Sequence, residues 1–412
     1  MNILYVCHRF PFPPKRGGKI RPFNMIRHFA RDHRVTVASL VRSEEEGTQA
    51  QGIAAHCHRF EMARVHDTVQ ALRMVARLPT SVPSSLGFFY SSKLKRRIRE
   101  ALERERFDLI FVHCSSVAHY VEDVTGIPKI LDFGDMDSQK WLEYARYKPF
   151  PLSLGYALEG RKLEREERRL ATRFDVCTAT TRAEWQTLES FRADVATDWF
   201  PNGVDSEFFC PTHEPYDPDH LVFVGRMDYY PNQECMIEFC TRVLPRLQQS
   251  RPRVTLAVVG ADPSAAVRRL GTLPGVTVTG SVADVRPFAR RAAVMVAPLN
   301  IARGTQNKIL EGMAMGVPVV ASRIAAGGVD AEAGVHLRTA SSVDDYVMQI
   351  LTILDDPLER QRLANEGRAR VLSHHSWSAS MTKLDGIVAR CVAMRGVAPR
   401  SESTTSQAGM LA

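Results

Sequence analysis

Residues 294–322, VMVAPLNIARGTQNKILEGMAMGVPVVAS, constrain this chain more than any other stretch. Val294–Pro298 is an apolar run closed by a proline, as suits an interior strand of a parallel sheet. Arg303-Gly304-Thr305 is expected to open a helix, with Thr305 as its cap and Gly304 leaving the first backbone N–H groups uncovered. Ile309, Leu310, Met313 and Ala314 give that helix one apolar face. Gly316 ends it, Pro318 prevents it from resuming, and Val317–Ser322 is the next strand. Two buried strands joined by a helix run parallel, because parallel neighbours need a crossover.

Such a helix points its N-terminus out of the sheet, beside Arg303 and Lys308. Uncovered N–H groups and the helix dipole favour an anion there. With the helix opening at Gly304, Glu311 lies roughly 9 Å further along, at about 1.5 Å per residue. A diphosphate at the tip would place a nucleotide ribose near that carboxylate. An ordinary α/β unit with a solvated charged face is the alternative from this stretch alone.

The 412 residues suggest two domains, and the net charge of +8 suits anionic ligands or a peripheral contact with an acidic membrane. Basic clusters without interleaved aromatic residues argue against a nucleic-acid partner. The eight cysteines are scattered and include no Cys-x-x-Cys pair, which argues against zinc and for a reduced, cytoplasmic setting. The N-terminal MNILYVCHRF enters a strand directly, without a signal-peptide layout, and no apolar run reaches membrane-spanning length.

The first half reads as alternating strands and helices, hence a doubly wound parallel sheet. Asn2–Cys7 is a strand, followed by a long loop that carries Gly17-Gly18, Lys19 and Arg21. A short helix is expected at Met25–Ala30, another at Met74–Leu78, and an amphipathic one at 91–106 with a basic face. Asp108–His113 and Lys129–Phe133 are strands, so His113, Asp132 and Asp135 sit at carboxyl ends, where ligands of such sheets lie. Lys19 and Arg21 are weak acceptor-side candidates, as is Asp135. Asp135-Met136-Asp137 also has the spacing of a metal-holding Asp-x-Asp, but a second copy at Asp217-Pro218-Asp219 in an obvious linker shows how easily it arises. The boundaries expected are a first domain over 1–200, a proline-rich linker over 201–219, a second domain over 220–375, a last helix over 376–395 and a disordered tail over 396–412.

Three pieces then line up: PNGVD at 201–205, FVGRMD at 223–228, and GTQNKILEGMAMGVPVVAS at 304–322. In this order and spacing the chain resembles the retaining, nucleotide-sugar-dependent glycosyltransferases of family four, over nearly its whole length. HRFPFPPKRGGKIRPFN, VHCSS at 112–116, LDFGDMDSQKW at 131–141 and ARGTQNKILEGMAMG further resemble the sugar transferases associated with exosortase (PEP-CTERM) exopolysaccharide systems.

The resemblance implies an α/β protein with the GT-B fold: two Rossmann-like doubly wound domains facing a cleft, with the C-terminal helix crossing back to the first domain. It implies transfer of a sugar, with retention of configuration, from a nucleotide-sugar to a lipid-linked or oligosaccharide acceptor at the inner face of the membrane. Carried over by motif, Gly17 and Gly18 would pack against the donor and His113 would touch the sugar near its anomeric centre. Arg226 would bind the diphosphate, Gly304, Thr305 and Lys308 would stabilise the leaving nucleoside diphosphate, and Glu311 would hold the ribose. Fixed cations and a helix tip neutralise a leaving diphosphate without a metal, so neither a metal nor another cofactor is expected.

Two positions depart from the family. It usually carries Glu, seven residues, Glu; the second is Glu311 but the first is Arg303. It also usually has a lysine about six residues after the arginine at 226, where this chain has Asn232. Arg303 could supply the replacement for the missing cation. These departures keep two alternatives open: a nucleotide-sugar 2-epimerase of the same fold, and a non-catalytic nucleotide-sugar-binding subunit of a polysaccharide assembly.

Overall fold

The computed structural model of the chain describes residues 1–14 and 17–396. Among the described residues, thirteen strands form two all-parallel sheets. The first contains β1 (Asn2–Cys7), β2 (Arg34–Val41), β3 (Arg59–Arg64), β4 (Leu109–His113), β5 (Lys129–Gly134), β6 (Val176–Ala179) and β7 (Ala196–Trp199), in the order 3-2-1-4-5-6-7. The second contains β8 (Asp217–Val224), β9 (Thr255–Val259), β10 (Val276–Gly280), β11 (Ala292–Ala297), β12 (Val319–Ser322) and β13 (Arg338–Ala340), in the order 10-9-8-11-12-13. β8 begins at Asp217, inside the stretch read as a linker.

Every residue of β4, β5 and β11 is buried, which is why these strands read as continuous apolar runs rather than alternating ones. Strand order reverses between β1 and β4 in the first sheet and between β8 and β11 in the second. Crevices at such reversals, beyond the strands' carboxyl ends, are where doubly wound sheets hold ligands.

The helix Trp377–Met394 returns to the first domain. Its Met381, Leu384, Ile387, Val388 and Cys391 belong to the same apolar cluster as Ile3, Tyr5, Phe29 and Phe111. Ser380 Oγ donates to the Pro201 carbonyl, and Arg395 pairs with Asp175 at 2.7 Å. The residues from 397 onward, most of the stretch read as a disordered tail, lie outside those described.

Several local expectations need correction. The helix read at Met25–Ala30 runs from Gly17 to Phe29, so Gly17-Gly18 forms its first turn rather than a loop. The helix read at Met74–Leu78 runs from Asp67 to Arg77. The helix of residues 294–322 begins at Asn307, not at Gly304. Its N-cap is Gln306, without a side-chain cap bond, and the Thr305 hydroxyl is buried without a hydrogen-bond partner. The end of that helix follows the sequence: Gly316 has φ +68°, its N–H donates to Met313 O at 3.0 Å, and the Val317 N–H donates to Gly312 O at 3.0 Å. That pair of bonds is a Schellman stop, and its left-handed residue favours glycine.

Candidate active site in the cleft

On the second-domain wall, Lys308 and Glu311 stand three residues apart on one face of the Asn307–Ala314 helix. Both are largely enclosed by protein. Burial lowers the Lys308 ammonium to about 8, against the opposing pull of Cys235 and Glu311, and raises the Glu311 carboxyl to about 7. Asn232 fixes the lysine. Its Oδ1 accepts from Lys308 Nζ at 2.7 Å, and its Nδ2 donates to the Arg226 carbonyl at 2.8 Å. Lys308 Nζ also lies 4.4 Å from the centre of the Phe223 ring. The place where the family carries a lysine therefore holds the amide that positions a different one. The Arg226 side chain, half exposed, rests on Asp228 and Asp262 at 2.6 and 2.7 Å.

The first-domain wall is built around Asp132, which is fully buried at the end of β5. It takes a two-point bond from Arg21 at 3.0 and 3.1 Å, one from Thr178 at 3.0 Å, and one from His113 Nδ1 at 2.8 Å. Burial alone would raise this carboxyl; Arg21 and His113 overrule it and hold it well below the usual carboxylate range. Accepting from Nδ1, Asp132 fixes the imidazole's orientation and leaves Nε2 as the free nitrogen. Arg21, expected on the acceptor side, is 3% exposed and also donates to Phe200 O and Asn202 Oδ1, so it belongs to the interior. Lys19 pairs with Glu46 at 2.6 Å.

The two walls meet. Gly304 has φ +63°, and a Cβ there would come within 2.1 Å of an Asp135 carboxylate oxygen. Only glycine lets the carboxylate of the first domain lie this close to the loop of the second. Asp135 keeps accessible surface although protein surrounds it, as befits a group facing a cleft; burial raises its carboxyl, with Lys140, Arg21 and His113 opposing. Arg303 reaches across to Glu143 at 2.7 Å and Glu184 at 3.8 Å. Arg303, expected to bind the donor, is thus engaged with first-domain carboxylates. The helix Asp137–Tyr147 carries most of the seam: Tyr144 Oη lies 3.1 Å from Tyr229 Oη, and Tyr147 Oη donates to Asn300 O at 3.4 Å. The Asp137 carboxylate accepts from the Cys114 thiol at 3.9 Å, and burial raises it, with Lys140 opposing and Asp135 adding to the rise. Among the described residues no group of three or more His, Cys, Asp or Glu is arranged to hold a metal ion.

Sequence reasoning brought His113, Asp135, Gly304, Lys308 and Glu311 to this cleft but missed their supports. His8 follows β1 with its ring 5.8 Å from that of His113, and its Nδ1 is buried without a partner. Its position beyond a strand end was the available signal. Glu184 sits three residues after the helix cap Thr181, which reads as a local capping pair. Its carboxylate instead accepts from the Met136 N–H at 2.9 Å, and burial followed by Asp135 raises it to about 7.

Comparison with known proteins agrees with this layout. Residues 218–356 match the family described as Glycosyl transferases group 1. The D-inositol 3-phosphate glycosyltransferase of Nocardiopsis dassonvillei is 26% identical over 323 residues, which are 72% of this chain and 73% of that protein. A GDP-mannose-dependent monoacylated alpha-(1-6)-phosphatidylinositol monomannoside mannosyltransferase of Corynebacterium glutamicum is 26% identical over 54% of this chain and 64% of its own. Among solved structures, sucrose-phosphate synthase from Thermosynechococcus elongatus superposes with a TM-score of 0.69 at 15% identity, over 96% of this chain and all of that one. The Anabaena protein HepE, solved in complex with UDP, gives 0.68 at 15% identity, over 95% of this chain and all of that one. Residues 218–356 are thus similar to the group 1 glycosyltransferases, and the chain as a whole has the two-domain GT-B fold.

Proposed function

We propose that this chain transfers a sugar, with retention of configuration and without a metal, from a nucleoside-diphosphate sugar to a lipid-linked or oligosaccharide acceptor in exopolysaccharide synthesis. The observation that carries the reading is the Asn232–Lys308 bond beside Glu311 at the strand reversal of the second sheet. A positioned ammonium in an enclosed site stabilises the charge that develops on a departing diphosphate, and Glu311 one turn on accepts from the ribose hydroxyls. HepE was solved with UDP and with UDP-glucose, which favours a uridine donor here.

In this reading the bond from the anomeric carbon to the diphosphate oxygen breaks as the acceptor oxygen bonds to that carbon from the same face. The acceptor proton passes to the departing diphosphate. His113 Nε2 contacts the sugar, and Asp135 orients the acceptor hydroxyl. The resemblance to exosortase-associated transferases supports a glycan acceptor, and the two inositol-lineage relatives support an acceptor that carries phosphate. The setting that fits is the cytoplasmic face of a membrane.

A calorimetric series with UDP, GDP, UDP-glucose and GDP-mannose tests the donor. Binding of at least one, weakened by Lys308→Ala, is expected; no heat with any of the four would overturn the reading. Radiolabelled donor supplied with membrane extract then separates transfer from epimerisation, since an epimerase alters the donor without consuming acceptor.

A further inference from the structure

The first domain exposes an apolar surface that the cleft does not use. On the helix Asp67–Arg77 and the turn after it, Leu72, Val75 and Leu78 point outward at helical spacing, Leu72 with 70% of its surface exposed. Phe150, Leu154 and Leu158 are likewise exposed at the start of the helix Leu152–Ala171, Phe150 by 80%. Lys162 Nζ donates to the Leu78 carbonyl at 2.8 Å, so the end of the first helix touches the second about one turn beyond Leu158. Singly exposed apolar residues need no explanation, but a connected group of this kind marks a contact surface.

Its charged surroundings select the occupant. Residues 1–100 carry 18 Lys and Arg against 7 Asp and Glu, more positive charge than the whole chain's net +8. The helix Ser92–Arg104 contributes exposed Lys93, Lys95 and Arg96. Gln70 and Arg73 of the apolar helix donate to the Tyr90 carbonyl at 2.9 and 2.7 Å, immediately before Ser91, the cap of the basic one. Apolar helix and basic helix therefore border one another. A second copy of this chain would bring its own basic rim against this one, and like charges oppose that contact. An anionic bilayer offers both complements at once: acyl chains for the leucines and phosphates for the lysines and arginines. Among the described residues no helix is long and apolar enough to cross a membrane, so the contact is with its surface.

We infer that the face formed by Leu72, Val75, Leu78, Phe150, Leu154 and Leu158, rimmed by Lys93, Lys95 and Arg96, docks the first domain onto an anionic lipid surface. The basic helix supplies the rim, and the apolar contact lies on its neighbours. The purpose, access to a lipid-linked acceptor, rests on the function proposed above; the docking itself does not. The adjoining helix Asp137–Tyr147 lines the cleft seam, so docking brings the cleft mouth near the membrane.

The test is sedimentation of the full chain with vesicles of phosphatidylcholine alone or with 30% phosphatidylglycerol, without donor or acceptor. Binding to the anionic vesicles only is expected, falling at least tenfold in Leu72→Asp/Val75→Asp and in Lys93→Glu/Lys95→Glu, and weakening with salt. If the aspartate variant unfolds, Phe150→Ser replaces it, since so exposed a side chain supports little of the core. Equal binding by variants and parent would overturn the inference. So would a parent that ignores vesicles but forms dimers the variants abolish. Because no sugar is present, vesicle binding by a protein that transfers nothing would sink the proposed reaction and leave the docking intact.

Discussion

The two walls of the cleft solve opposite electrostatic problems. The second-domain wall keeps one lysine and one glutamate, each pushed by burial toward its neutral form. The first domain gathers carboxylates here: Asp132, Asp135, Asp137, Glu143 and Glu184, and the fully buried Glu167, which accepts from the Ser138 N–H at 3.0 Å. Only Asp132 is fully compensated by a buried cation; burial raises Glu167 to about 8 and Glu184 to about 7. With carboxyls raised toward their neutral form the first wall suits hydroxyl groups, whereas the second offers a positioned ammonium to an anion. In the function proposed above, the contrast assigns the attraction for a diphosphate to the second wall.

Breaking the frame of the first wall has the largest expected effect. Arg21→Met leaves Asp132 buried without its cation and should cost about 3–5 kcal/mol of stability, read by urea unfolding. In the parent the depressed Asp132 value gives stability that is complete above the ordinary aspartate range and lost as pH falls below it. Arg21→Met should shrink that acid dependence.

Removing the cation of the second wall comes next. Lys308→Ala should lower turnover by about 10²–10³-fold while the fold is kept. Asn232→Leu, which frees the lysine and removes the donor to the Arg226 carbonyl, should act less strongly and more on turnover than on donor affinity.

The pH response separates the walls further. A bound diphosphate raises the Lys308 value, so binding takes up a proton once pH exceeds about 8. Above that pH, nucleotide affinity should fall by about tenfold per unit, and Lys308→Arg should remove the dependence. A fall that survives Lys308→Arg would assign the proton elsewhere.

The bridge between the walls carries the least. Arg303–Glu143 is partly exposed, so Arg303→Ala should shift closure by about 1 kcal/mol or less, seen as a slightly larger radius in X-ray scattering. UDP affinity should change by less than about threefold if Arg303 serves as that bridge. A loss as large as that of Lys308→Ala would mean that Arg303 turns from Glu143 to the diphosphate and does replace the missing lysine.

The fold was legible because its signals are local. Buried runs such as Leu109–His113 and Ala292–Ala297 announce parallel strands, and Gly316 announces a helix end. Lys308 and Glu311 were legible for the same reason, as neighbours on one helix face. What stayed hidden depends on contacts between distant parts of the chain. Arg303 looked like one more cation near a helix tip because Glu143 is 160 residues away in sequence. Arg21 looked like a ligand because nothing nearby in sequence shows the Asp132 that it neutralises, 111 positions on. The late start of the Asn307–Ala314 helix was hidden too, since Asp135 from the other domain occupies the space beside Gly304.

The returning helix Trp377–Met394 has a consequence for how the molecule is made. The ribosome delivers β1 to β7 first, but the apolar cluster around Ile3, Tyr5 and Phe111 lacks one wall until Met381 to Cys391 emerge. At about 5–20 residues per second, roughly 10–40 s separate the end of β7 from the end of that helix. Throughout that interval the first domain presents an uncovered apolar groove while the second can already fold behind it. Native order is thus inverted relative to the order of synthesis: the domain begun first is completed last, and a nascent chain paused near residue 375 would be a natural client for a chaperone.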